Sequence, residues 1–372
     1  MVRGRTVQAF RGDSLNLEAR IVQAIQKVGP KNVSLLSRMT GAHAETIRYK
    51  VKRQFRTLGF RIDADIDHEK LGLLDHWAEL SFARKYRPIA KEILSALSES
   101  AYLTYYGKVV PSGDYLCVFA GPTGSTDDLR SLLDELRATG ILHDFAIDRA
   151  VFSRNDPMMP AHFDFRAGRW DVDWAKVRLS PPRPLPVRRE QRPSDVDEYD
   201  LMLMRELQAD ALRHVVGIAR KLRVHQKTLE YHYRAHVQKQ KLIASYHMRW
   251  VGEPDGKDSP AVLLTALRFK DLGEELQRVQ NAVSKIPFLW RESLTEGGEY
   301  IALLVTPIRE AVNVLSFVSE QAPNLHEKVE LGYISAADST IFGVPSHLYK
   351  NGWAFDARAA KTKIAKLVKK RN

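Results

Sequence analysis

Val33 … Arg38 … His43 … Thr46-Ile47-Arg48-Tyr49 returns in the second half of the chain, at one constant offset, as Val215 … Arg220 … His225 … Thr228-Leu229-Glu230-Tyr231. Gly113-Asp114-Tyr115 is echoed at nearly the same offset by Gly298-Glu299-Tyr300. Gly168-Arg169-Trp170 is echoed by Gly352-Trp353. Three landmarks in the same order mark an internal duplication. The unit is too long for a solenoid repeat, so the chain reads as two copies of a whole module. Such a chain is a covalent pseudo-dimer about a pseudo-twofold axis.

Around the first landmark the apolar spacing is helical. Leu17, Ile21, Val22, Ile25 and Val28 predict one helix, stopped by Gly29-Pro30. Val33 to Met39 predicts a second. Ala44 to Leu58 predicts a third, with Ile47, Val51, Phe55 and Leu58 on one face. Leu58-Gly59-Phe60-Arg61-Ile62 then switches to strand alternation. Three helices and then a strand pair is the order of a winged helix-turn-helix. Residues 76–152 read as strand, helix, strand, strand, helix, strand, a ferredoxin-like βαββαβ sheet. The second half repeats both parts. The expected class is α+β. The expected units are a winged helix-turn-helix domain (1–72), a ferredoxin-like domain (73–179), a linker (180–194), a second winged helix-turn-helix domain (195–252), a second ferredoxin-like domain (253–356) and a basic tail (357–372).

The 372 residues carry a net charge of +12, with 44% hydrophobic and 27% charged residues. That describes a folded chain whose positive excess suits a polyanionic partner or a generally basic proteome. The one cysteine, Cys117, removes disulfides and cysteine-based zinc motifs. It sits in Tyr115-Leu116-Cys117-Val118-Phe119, which reads as a buried strand. No apolar run approaches the ~18 residues of a membrane span, and no signal peptide follows Met1. A cytoplasmic, nucleoid-associated protein is expected, with no membrane partner. Residues 180–193 hold five prolines and four arginines, an extended spacer or a phosphate-touching strap. Residues 357–372 hold seven basic residues and no acid, a nucleic-acid tail or a solubilising terminus.

Helix-turn-helix followed by βαββαβ resembles the Lrp/AsnC (feast/famine) family of transcription regulators, whose sheet domain is of the RAM type. Thr46-Ile47-Arg48-Tyr49-Lys50-Val51-Lys52-Arg53 looks like that family's recognition helix. Leu58-Gly59-Phe60-Arg61-Ile62, Asp67 and Leu71-Gly72 are similar to its turn into the wing and its hinge. Gly113-Asp114-Tyr115 sits where the family has a Gly-Asp-Tyr turn. Two modules are fused where a usual member has one, Gly298-Glu299-Tyr300 replaces the second turn, and Gln240-Lys241-Leu242-Ile243 lacks the expected glycine. The Gly-x-Trp endings lie outside the family pattern and read as an extra strand on the sheet.

A helix entering the major groove needs donors for base edges and cations for phosphates. His43, Glu45, Thr46, Arg48, Tyr49, Lys50, Lys52, Arg53 and Arg56 are the first candidate set. Arg48 is the candidate guanine reader, and Lys50, Lys52, Arg53 and Arg56 are the phosphate ligands. His225, Lys227, Thr228, Tyr231 and Arg234 form a weaker second set, with Glu230 where Arg48 stands. His232 and His236 lack a third ligand at helical spacing, so no metal is expected. Gly121-Pro122-Thr123-Gly124-Ser125 lacks the lysine of a phosphate loop and reads as a strand-to-helix turn. The resemblance implies double-stranded DNA as partner and an amino-acid-like effector near Gly113, Asp114, Gly298 and Glu299. It also implies homodimerisation through the sheet domains. No cofactor is expected and the chain is read as a regulator, not an enzyme. The alternative is an enzyme resembling the sirohaem decarboxylases, which use the same architecture as paired homologous subunits.

Overall fold

The computed structural model describes residues 16–184, 193–250, 262–321 and 328–369. Helix α1 (Leu17–Val28) begins at Asn16, whose side chain accepts a bond from the Ala19 amide, and ends at Gly29. Gly29 lies so close to the Tyr246 ring that a Cβ would meet it at 2.7 Å. Helix α2 (Val33–Thr40) is capped by Asn32. Helix α3 (Ala44–Tyr49) runs through a π-helical turn, Lys50–Gln54, into α4 (Phe55–Thr57). Its buried stripe of Ile47, Val51 and Phe55 shares one core with Ile21, Ile25 and Leu36. Strand β1 (Phe60–Ile66) buries Phe60, Ile62, Ala64 and Ile66 and leaves Asp63 and Asp65 on the opposite face.

The first sheet unit follows as β2 (Leu73–Phe82), α5 (Ala90–Ser100), β3 (Leu103–Val110), β4 (Tyr115–Pro122), α6 (Thr126–Ala138) and β5 (Leu142–Asn155). A short hairpin, β6 (Phe163–Asp164) with β7 (Arg169–Trp170), and α7 (Trp174–Leu179) close the half. The second half gives α8 (Glu198–Ala209), α9 (Val215–Leu222) and α10 (Gln226–Tyr231), the last prolonged by a π-helical segment, His232–Gln238. Strands β8 (Ile243–Trp250) and β9 (Val262–Phe269), α11 (Leu276–Val283), β10 (Leu289–Thr295) and β11 (Tyr300–Pro307) follow. Helix α12 (Ala311–Gln321), β12 (Val329–Ile341) and α13 (Ala357–Lys369) complete it.

The two sheets have the same strand order, β3-β4-β2-β5 and β10-β11-β9-β12, and join edge to edge into a closed eight-stranded barrel. One seam sets Asn155 opposite Arg291. The other sets Ile341 opposite Tyr105, the counterpart of the same rung with the two halves exchanged. Closure removes the open edges that would otherwise template pairing with another chain. The sheet-to-sheet pairing expected between two copies is therefore supplied inside one chain. The barrel interior is apolar and aromatic, with Trp77, Tyr105, Leu116, Val118, Ile301 and Leu303 in one cluster.

The expected wings take a different form. Each helical unit contributes one strand, and β1 pairs antiparallel with β8, Phe60 opposite Trp250 and Asp63 opposite His247. A strand must satisfy its backbone groups on a neighbour, and here each copy's strand is the other's neighbour. The segment Gly252 to Gly256, read as following the second wing, lies outside the described residues. The Gly-x-Trp endings do not add strands to the sheet. Trp170 pairs with Phe163 in the small hairpin and meets Phe288 at 5.4 Å. Trp353 bridges to Tyr349 and donates to the Leu71 carbonyl at 2.6 Å.

The basic tail is a packed helix up to Lys369. Ala360 and Ile364 of α13 are buried in the core that also holds α5 and α6, while Lys361 and Lys363 pair with Glu135 and Glu99. In the linker, Arg183 is turned inward onto Asp156 at 2.5 Å, which removes it as a phosphate contact. Arg188, Arg189 and Arg192 lie outside the described residues. Cys117 is fully buried, and burial pushes its thiol well up, as an inert core cysteine requires.

Asp156 belongs to a buried charge network at the β5–β10 seam. Arg154 pairs with Glu292 and Asp156, and Tyr300 donates to Glu292 at 2.5 Å. Burial pushes the Asp156 carboxyl up to about 6; Glu292 adds to the rise, and Arg183 and Arg154 oppose it. The native state thus holds this proton more tightly than the unfolded chain. The resulting stability is complete below about pH 4 and is lost as pH rises through about 6. Asp156→Asn should gain up to about 3 kcal/mol relative to the parent between about pH 4 and pH 7, measured by urea unfolding at both.

Candidate functional site

The polar face of the β1–β8 ribbon lies over one end of the barrel. Alternation along the two strands places Asp63 and Asp65 of β1 beside His247 and Arg249 of β8. Arg249 forms a bidentate pair with Asp63, both bonds 2.8 Å. Asp65 accepts from Asn155 at 2.7 Å and from Ser245 at 3.2 Å, with His247 at 3.7 Å. Below the ribbon, Asp75 at the start of β2 holds two partners. Arg291 of β10 donates to its Oδ2 at 2.6 Å, and His68 Nδ1 stands 3.0 Å from its Oδ1. Ser153 steadies Arg291 at 2.9 Å. Burial opposes ionisation of Asp75, but Arg291 and His68 outweigh it and hold the carboxyl well below the usual carboxylate range.

These groups line a cavity of about 320 Å³ between ribbon and barrel, within the size range of small-molecule sites. Its inner wall holds Tyr105, whose ring meets Trp290 edge-on at 5.6 Å. The Tyr105 hydroxyl is buried without a hydrogen-bond partner, and burial pushes its phenol up. An orphaned hydroxyl is costly unless something else satisfies it.

A second cavity, about 330 Å³, shares Tyr105, Arg249, Trp290 and Ile341 with the first. The second cavity lies at the start of β9 and the end of β12, the places that the start of β2 and the end of β5 hold in the first, so the two cavities are counterparts under the pseudo-twofold. Their linings differ in kind. Asp75 opposite Ala120 corresponds to Leu264 opposite Val305. In the strand register Arg154 corresponds to Thr340, and Arg291 to Tyr105. The charged groups line the first cavity, and the second is mostly apolar.

Charge inside the first cavity is nearly spent. Arg249 is matched to Asp63, Arg291 to Asp75, and Arg154 to Glu292 and Asp156. Asp65 and Asp67 also line it, Asp67 paired with Lys70 at 3.5 Å. The lining thus offers no arginine that is not already matched to a carboxylate. It therefore favours neutral or cationic groups and opposes polyanions.

The DNA-binding candidates cover the outer surface of the helical units. His43, Glu45, Arg48, Tyr49, Lys52, Arg53 and Arg56 are exposed, and Thr46 is half-buried. Three of the cations have internal partners. Arg48 pairs with Glu45, Lys50 is held by Glu18 at 2.6 Å, and Arg56 stands 3.8 Å from Asp210. Lys50 is thus a scaffold contact, not the phosphate ligand expected. In the second unit His225, Lys227, Tyr231 and Arg234 are exposed and Thr228 is half-buried. His232 and His236 point inward. Each imidazole Nδ1 faces the buried Asp200 carboxylate, at 3.1 and 2.9 Å, and Asp197 is beside them. The carboxylates missing at helical spacing come from another helix, α8.

The effector candidates are not gathered into one site. Gly113 and Gly298 occupy hairpin turns with φ of +83° and +82°, the conformation that calls for glycine. Asp114 accepts from Ser81 at 2.6 Å, and Glu299 is paired with Arg268 at 2.8 Å. None of the four lines either cavity. The residues that do were missed by sequence reasoning. Their signal was the alternation Asp63-x-Asp65-x-Asp67, a strand face too acidic for a partner that must be DNA.

No family model matches the sequence, and no curated protein does. The solved structure of siroheme decarboxylase NirDL in co-complex with an iron-uroporphyrin III analogue matches with TM-score 0.51 at 11% identity. It covers 95% of this chain and 100% of that one. PH0061 matches over 38% of this chain and 93% of its own, with 19% identity and TM-score 0.30. MtbAldR matches over 37% of this chain and 94% of its own, with 19% identity and TM-score 0.24. The chain thus has a mixed α/β fold of the Lrp/AsnC-like kind, two modules in one polypeptide. The expectation that it is not an enzyme is overturned: the structure that matches nearly its whole length is an enzyme's. No helix among the described residues is long and apolar enough to cross a membrane.

Replacing Tyr105 with Phe removes only the orphaned hydroxyl. The variant should be more stable than the parent by about 1–3 kcal/mol in thermal or urea unfolding of the ligand-free protein. Equal or lower stability would mean that the hydroxyl already has a partner.

Proposed function

We propose that the chain is an enzyme whose reaction takes place in the charged cavity, with His68 as general acid–base. The observation that carries this is the His68–Asp75–Arg291 chain facing the cavity, with Leu264 replacing Asp75 in the apolar counterpart. A scaffold role alone would have been needed on both sides of the pseudo-twofold.

In this reading Arg291 keeps Asp75 ionised, and Asp75 keeps a proton on His68 Nδ1. Nε2 is then the ring position that takes a proton from the substrate or returns one. The Tyr105 hydroxyl donates to a substrate acceptor and so gains the partner it lacks. The edge-on pair of Tyr105 and Trp290 suits a flat aromatic portion reaching toward the apolar lobe. The charge balance favours a neutral or cationic substrate. A uroporphyrin is a polycarboxylate, so NirDL is shared architecture in this reading and not a shared substrate.

Two measurements test it. Tryptamine and indole-3-propionate have similar flat parts and opposite charge. Titrated into the protein with tryptophan fluorescence as readout and Trp290→Phe as control, the amine should bind more tightly. Tighter binding of the carboxylate, or of iron-uroporphyrin III, would refute the substrate class. Separately, the protein incubated with a cell metabolite extract should convert at least one mass into another, followed by mass spectrometry. His68→Gln should slow that conversion by roughly 10²–10⁴-fold with the fold unchanged by circular dichroism. Equal conversion by both proteins would remove His68 from the chemistry.

A second reading rests on a different surface. The exposed Arg48, Lys52 and Arg53 of the first recognition helix, on a chain of net charge +12, support contact with double-stranded DNA. Binding to mixed-sequence duplex, measured by fluorescence anisotropy, should weaken log-linearly with salt. Arg53→Ala should lower the affinity for all sequences and flatten the salt slope by about one. Absence of binding at low salt would confine the chain to the cavity chemistry.

A further inference from the structure

We infer that Asp197, Asp200, His232 and His236 form a binding site for a late first-row divalent metal ion such as zinc. One donor atom from each residue lies within 4.8 Å of the other three. His236 Nδ1 lies 2.9 Å from Asp200 Oδ2, and His232 Nδ1 lies 3.1 Å from Asp200 Oδ1 and 3.4 Å from Asp197 Oδ2. A tetrahedral ion with bonds of about 2.0–2.2 Å has ligand–ligand edges of about 3.3–3.6 Å, so these four donors need only a small adjustment to close on one ion. Two imidazoles and two carboxylates suit zinc and its neighbours better than magnesium or calcium, which prefer oxygen alone.

Charge argues the same way. Asp200 is fully buried. Among the described residues no lysine or arginine pairs with it or with Asp197; their ion-pair partners are the two histidines. Two carboxylates brought together in a partly buried place need positive charge, and among the described residues only the two imidazoles are paired with them. A divalent ion supplies that charge.

The carboxylates are also oriented in advance. Asp197 caps α8 through one oxygen, Oδ1, which accepts from the Tyr199 and Asp200 amides at 2.9 and 3.1 Å. Its Oδ2 is the oxygen turned to His232. Asp200 Oδ2 accepts from the Asp197 amide at 3.1 Å, completing a capping box. Backbone donors thus act as the outer shell that aims the ligands. The ion would take the place of the imidazole Nδ1 protons and fasten the start of α8 to the second recognition helix. This inference stands apart from the charged cavity.

The test is titration of EDTA-treated, dialysed full-length protein with cobalt(II), read by its visible ligand-field absorption, with zinc(II) as competitor. One cobalt per chain, displaced by one zinc, is expected. His236→Gln, at a half-exposed position, should lose the band and weaken binding by more than the roughly 10–100-fold that loss of an outer-shell partner costs. Asp197→Asn keeps an equally good helix cap, so it should fold normally while weakening the metal. No stoichiometric cobalt in the parent, or the same band in both variants, would overturn the site. The four residues would then be a hydrogen-bonded cap alone.

Discussion

Edge-to-edge pairing of β5 with β10, and of β12 with β3, turns two half-chains into one molecule. A four-stranded sheet of this kind has two open edges, and backbone groups at an edge must be satisfied by something. Here each copy satisfies the other. Everything functional follows from that constraint. It places β10 of the second copy under β1 and β2 of the first, which is how Arg291 reaches Asp75. It also lays the β1–β8 ribbon across the end of the barrel, with its apolar face on the helical units and its charged face roofing a cavity.

Covalent duplication relaxes the symmetry that a dimer of identical chains must keep. In a homodimer both cavities would carry the same groups. In this chain one has Asp75, Arg154 and Arg291, and the other has Leu264, Thr340 and Tyr105 at the corresponding positions. The same divergence appears in the helical units. The α3 segment of the first unit presents arginines and lysines to solvent. The second unit has turned two histidines inward onto the cap of α8. Each half has specialised, and the Tyr105–Trp290 pair is where the two specialised lobes meet.

Much of the fold could be read from the sequence because it rests on local signals. The three helices of the first unit follow the spacing of Ile21, Ile25, Leu36, Ile47 and Phe55, and the strands and helices of both sheets follow their own periodicity. The site was less legible because its contacts join distant residues. Asp75 and Arg291 are brought together only by the seam. No third ligand shows at helical spacing beside His232 and His236, because the carboxylates come from the start of α8, well upstream in the chain. The glycine turns at Gly113 and Gly298 were legible as turns, and a turn is what they are. The wings were misread because a lone strand followed by a hinge looks the same whether it folds back on itself or pairs with its duplicate.

The acid–base role of the cavity turns on the state of His68, which nitrogen-15 NMR of the imidazole reads directly at a pH where the ring is neutral, with His68→Gln supplying the assignment. A ring held by an ionised Asp75 carries its proton on Nδ1, in a hydrogen bond to the carboxylate, and leaves Nε2 bare toward the cavity. That tautomer is the predicted result. A proton resting on Nε2, or the averaged mixture of a freely solvated imidazole, would contradict it. The cavity would then be a gap between ribbon and barrel, with no acid–base centre in it.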